Sequence, residues 1–181
     1  MGQSESTAQI DQLVTHGGQT DLPEGELPKT VVICGSMKTY PLMVKIRDKL
    51  RSAGLNAVAP VPDEPSTCVT LERKRVASKA HMDRIREQDT EAVLVVNVSW
   101  PGKAHYVGPN AFAEVGLAFA LGRQAFLLHG MPAAYEDELS AWGVKCLHGQ
   151  IKPLLDALAA PHLINSSDWE QTIHFAPASG Q

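Results

Sequence analysis

Glu114 is the residue whose setting most calls for a chemical explanation. It is the only side chain between Ala111 and Leu121 that is neither apolar nor glycine. A carboxylate among such neighbours is costly unless something pairs with it or uses it. Gly108 and Pro109 open this stretch as a helix start, proline suiting the first helical position. Glu114 therefore lies about a turn and a half into a helix, where the dipole favours an anion. A lone ionisable group in an apolar setting is a candidate for a functional site, the plain alternative being a glutamate at an exposed helix tip satisfied by the dipole. Two further carboxylates, Asp83 and Asp89, both precede the apolar run from Ala92 to Val98, where a plain surface position is the usual one for Asp on a polar helix. Periodicity aligns Asp89 with Met82 and Ile85 and puts Asp83 on the flank, and geometry alone does not choose between them.

Further groups fall where a ligand would need them. Gly35, Ser36 and Met37, followed by Lys38, form a turn whose backbone N–H groups suit an oxygen-rich or phosphorylated ligand. Neither a G-x-x-x-x-G-K-[ST] loop nor a G-x-G-x-x-G fingerprint is present, so an ordinary strand-to-helix turn fits the same residues equally well. Asn97, Tyr106, Gly108 and Asn110 flank the loop that leads to Glu114. Cys34, Cys68 and Cys146 form an odd, scattered set without C-x-x-C, and the seven histidines lack zinc-type spacing. Spacing thus predicts no metal site, no cofactor and reduced thiols in a cytoplasmic protein.

Positioning these groups requires a scaffold, and hydrophobic patterning supplies one. Thr30 to Cys34, Leu55 to Val61, Ala92 to Val98, Gln124 to His129 and Val144 to Leu147 read as strands. Tyr40 to Ala53, Val69 to Thr90, the Glu114 segment, Ala133 to Trp142 and Ile151 to Ala160 read as helices. Alternation of strands and helices predicts an α/β fold: a single doubly wound five-stranded parallel sheet, flavodoxin- or Rossmann-like. Ligands in such sheets bind beyond the carboxyl ends of the strands, where the strand order reverses. The folded domain is expected over 29–160. Residues 1–28 are a polar tail, which carries a short N-myristoylation pattern at Gly2 and Ser6, and 161–181 an irregular one.

Composition narrows the partners. A net charge of −4 argues against a nucleic-acid backbone, which calls for a basic face. No apolar run reaches bilayer-spanning length and no secretory leader is evident, so no membrane partner is expected.

The G-S turn, the helical Asp, the apolar strand and the segment YVGPNAFAEVGLAFALG together resemble the nucleoside 2-deoxyribosyltransferase superfamily, from Val31 to about Leu128. That superfamily also includes deoxynucleoside 5′-monophosphate N-glycosidases. The resemblance implies that Glu114 of E-x-G-x-A is the nucleophile. It also implies that Asp83 is the acidic partner, eight residues before Glu91 at the strand opening. Departures are visible: Met37, Lys38 and Thr39 stand where the glycosidases carry an arginine and paired glycines. Gly108 stands near where transferases often carry a further carboxylate.

The implied chemistry suits the residues. Cleaving an N-glycosidic bond passes through an oxocarbenium-like state that a carboxylate can stabilise and capture as a glycosyl-enzyme, while a second acid assists the leaving base. Asn97, Tyr106 and Asn110 would bind sugar or base, and Trp100 or Tyr106 would stack on the base. The expected activity is cleavage or exchange of the N-glycosidic bond of a 2′-deoxynucleoside. The alternatives are a nucleoside 5′-monophosphate hydrolase and a non-catalytic nucleotide-binding module. The resemblance also implies a homo-oligomer acting on a small nucleoside or nucleotide.

Overall fold

The computed structural model describes residues 29–62 and 70–158. The two expected tails, and Cys68, lie outside the described residues. Five strands form one sheet: β1 (Thr30–Gly35), β2 (Asn56–Val58), β3 (Thr90–Val96), β4 (Gln124–Leu127) and β5 (Lys145–Cys146). Their order is β2-β1-β3-β4-β5 and every neighbouring pair is parallel. This is the doubly wound flavodoxin-like sheet that the alternating pattern predicts.

The helices are α1 (Tyr40–Ser52), α2 (Leu71–Arg86), α3 (Pro109–Ala120), α4 (Glu136–Ala141) and α5 (Lys152–Ala157). Strand periodicity divides the core between the two faces of the sheet. Val31, Ile33, Leu94, Val96, Phe126 and Leu128 pack with Met43, Ile46 and Leu50 of α1 and Leu154 and Leu155 of α5. Val32, Cys34, Val93, Val95, Ala125 and Leu127 pack with Ile85 of α2, Ala111, Val115 and Ala118 of α3, and Leu139 of α4. The chain leaves β1 towards one edge of the sheet and β3 towards the other, so strand order reverses between β1 and β3.

Several boundaries differ from the sequence expectation. β2 stops at Val58, ahead of Pro60 and Pro62, whose missing N–H groups cannot extend a ladder. α2 stops at Arg86, because Thr90 already belongs to β3 and its hydroxyl donates to the Arg84 carbonyl (2.8 Å). α3 is not enclosed on all sides. Phe119 and Leu121 at its end are 49% and 41% exposed among the described residues.

The lower end of α2 is tied to the sheet by a polar clamp. Arg84 donates to both Asp89 oxygens (2.8 and 2.7 Å) and to the Thr30 hydroxyl (2.9 Å), and that hydroxyl donates to Asp89 (2.6 Å). Arg84 at one end of the helix thereby fixes the residues one turn earlier. Among the described residues, no helix is long and apolar enough to cross a membrane.

Candidate functional site

Three elements converge on Glu114. It is buried on α3, over the face of the sheet that carries Cys34 at the end of β1. From α2, His81 Nδ1 lies 2.9 Å from Glu114 Oε1, and the two side chains are only 12% and 9% exposed. Burial, and then the adjacent Glu114 carboxylate with its hydrogen bond to the thiol, push the Cys34 thiol well above its ordinary range. Sulfur, imidazole nitrogen and carboxylate oxygen all lie within 4.8 Å of one another. The sequence prediction of a buried carboxylate is thus met, with an imidazole and a thiol as its neighbours.

His81 occupies the place that sequence reasoning assigned to Asp83. Asp83 lies two residues on, about 200° around the helix, and its half-exposed carboxylate pairs with Lys79 (2.5 Å) and Arg86 (3.1 Å). Those cations hold the Asp83 carboxyl below its ordinary value, the Lys79 hydrogen bond first. The structure does not bring Asp83 to Glu114 within one chain. Asp89, the other carboxylate considered, belongs to the clamp at the opposite, amino-terminal edge of the sheet. A histidine four residues before the buried Ile85 was the available signal for the inner face of α2.

The remaining predicted residues take varied positions. Gly35 sits where the turn packs tightly. A Cβ there would stand 3.3 Å from the Val96 carbonyl and 3.4 Å from Met43 Sδ and Thr39 Oγ1. Ser36 caps the short turn at Met37–Thr39, its hydroxyl accepting from Lys38 N (3.3 Å), while Met37 is exposed. Asn97 is fully buried and engages backbone. Its amide donates to the Gly130 carbonyl (2.8 Å) and its oxygen accepts from His129 N (2.9 Å), which ties the end of β3 to the end of β4. Both polar ends of that side chain therefore meet backbone of the loop after β4.

Tyr106 lies against Gly108, where a Cβ would meet its hydroxyl at 3.4 Å, and Lys103 Nζ stands 5.2 Å from the Tyr106 ring centre. Asn110 is exposed at the start of α3, 3.5 Å from the Ser78 hydroxyl.

A cavity of about 480 Å³ opens at the carboxyl ends of β1 and β3, on the α1 side of the sheet. Its size suits a small ligand. Lys38, Trp100, His105 and His129 bring its polar and aromatic groups, and Leu42 and Val98 its apolar floor. Lys38 Nζ stands 5.8 Å from the Trp100 ring centre, and the two histidine rings stack at 6.4 Å. Burial, and then His105, hold the His129 imidazole below its ordinary value. Glu114 is not among the lining residues, so the switch point carries this cavity on one face and the Cys34–His81–Glu114 cluster on the other. Neither a scan against protein-family models nor a search of curated proteins finds a match to this chain.

Proposed function

We propose that this protein is a nucleoside 2-deoxyribosyltransferase-like enzyme, with Glu114 as nucleophile on the anomeric carbon of a 2′-deoxynucleoside. The observation that carries the reading is a buried carboxylate near the start of α3, at the reversal of strand order, held by the imidazole of His81. Attack by a Glu114 oxygen would break the C–N bond and form a glycosyl-enzyme, which a second base or water would then resolve. In this reading His81 orients Glu114, a task sequence reasoning did not assign to it. Cytoplasmic location and a homo-oligomer belong to the same reading. Leu71 and Val76 on α2 (86% and 58% exposed), with Phe119 and Leu121, offer apolar surface for a second copy. Asp83 would act only across such an interface.

Two further readings remain distinct in outcome: a 5′-monophosphate hydrolase and a binding module without turnover. The turn after β1 offers Lys38 and no arginine, and Arg75 pairs with Glu72 on the exposed face of α2. A single flexible lysine is a weaker phosphate fork than arginine, and its place in that turn favours nucleosides over monophosphates. The test supplies deoxynucleosides and 5′-monophosphates, each with and without a second free base. Base exchange is expected, and Glu114→Gln should lower it about a thousandfold or more with the fold intact. Base release from a monophosphate alone would move the assignment to the hydrolase. Ligand binding without any turnover would leave the binding module.

A further inference from the structure

We propose that Cys34, His81 and Glu114 form a binding site for a thiophilic divalent cation of the zinc class. The three donors come from β1, α2 and α3, and their ligand atoms already lie within 4.8 Å of one another. Ligands around a tetrahedral zinc stand about 3.3–3.8 Å apart, given bonds of about 2.0–2.3 Å. Side-chain adjustment of about an ångström closes that difference. A thiolate, an imidazole and a carboxylate make a donor set that selects zinc or cobalt over magnesium or calcium, which take all-oxygen shells.

The geometry and the charge both suit an ion. His81 Nδ1, 2.9 Å from Glu114 Oε1, faces the carboxylate with which it would share the ion. Charge also balances, because a dication with one thiolate, one carboxylate and a neutral imidazole makes an uncharged unit, the form a buried site tolerates. Binding forms a metal–sulfur bond and releases the thiol proton to solvent, with no redox step. Three protein donors leave a fourth position for a small molecule.

An ion held here would also occupy the Glu114 carboxylate that the glycosidic reading requires free, so metal and turnover would exclude each other. The metal site itself stands apart from that reading, and its test uses no substrate.

The experiment titrates Co²⁺ into the full chain carrying Cys68→Ser and Cys146→Ser, under reducing conditions. The expected result is a thiolate-to-cobalt charge-transfer band that saturates at one equivalent, persists in excess Mg²⁺ and disappears on adding Zn²⁺. Cys34→Ser should abolish the band, and His81→Gln or Glu114→Gln should weaken Co²⁺ affinity by about tenfold or more. Circular dichroism establishes that each variant is folded. Should Cys34→Ser fail to fold, the His81 and Glu114 variants alone decide. Absence of the band in folded protein at excess Co²⁺ would overturn the proposal, as would unchanged affinity in both the His81 and Glu114 variants.

Discussion

Asp89→Asn tests whether the clamp beneath α2 holds the helix that presents His81. The substitution keeps the shape but removes the charge that Arg84 grips with two hydrogen bonds of 2.8 and 2.7 Å. The Arg84 and Asp89 side chains are 17% and 21% exposed, so the pair is largely but not fully withdrawn from water. Breaking a fully buried pair costs about 3–5 kcal/mol, and an exposed pair contributes about 0–1 kcal/mol. Partial exposure, and the one oxygen that Asn retains, place the expected loss at about 2–3 kcal/mol. At about 2–4 °C per kcal/mol for a chain of this size, the melting temperature should fall by about 5–10 °C at pH 7.

The pH dependence has a definite sign. The Arg84 hydrogen bonds foremost, and then that from Thr30, hold the Asp89 carboxyl well below the usual carboxylate range. A depressed folded pKa contributes stability that is full above the unfolded value of about 3.9 and is lost as pH falls through the folded value. The gap between wild type and variant should therefore be constant from neutral pH down to about 5 and narrow below about 4. Thermal melts followed by circular dichroism across that range measure it, and faster amide exchange along α2 should accompany it. A variant melting within about 1 °C of wild type at pH 7 would refute the reasoning.

Two other perturbations follow from the cavity edge. A Cβ on Gly130 would stand 2.8 Å from His105 Nε2, so Gly130→Ala should destabilise by about 1–3 kcal/mol in urea titrations. The same change should be nearly neutral in a His105→Ala background, and an undiminished effect there would locate the strain elsewhere. The His129 imidazole, held low by burial and by His105, favours its neutral form in the folded state. That contribution is full above the unfolded value of about 6.5 and is lost as pH falls through the folded one. Between pH 7 and 5 the wild type should thus lose more melting temperature than His129→Gln, and equal losses would reject the assignment.

The fold was legible because each element announces itself locally. Continuous apolar runs such as Val31-Val32-Ile33 and Val93-Leu94-Val95 are satisfied by burial on both faces of a sheet. The intervening helical periods then require parallel crossovers. The burial of Glu114 was legible for the same reason, since its neighbours along α3 are apolar. What lies against Glu114 was not. Cys34 and His81 sit on β1 and α2, far apart in sequence, and only the packing of α2 over α3 and the sheet brings their atoms together. Asp83 and His81 are two residues apart, and a weakly amphipathic helix such as α2 leaves its rotation open until the Arg84–Asp89–Thr30 clamp and Ile85 set it. Asn97 illustrates the same limit from the other side. Its type suggests a ligand contact, yet its amide is taken by the Gly130 carbonyl and the His129 N–H, partners that exist only once β3 and β4 lie side by side. Residue type and periodicity decide which groups are buried, while the meeting of distant side chains is decided by tertiary packing alone.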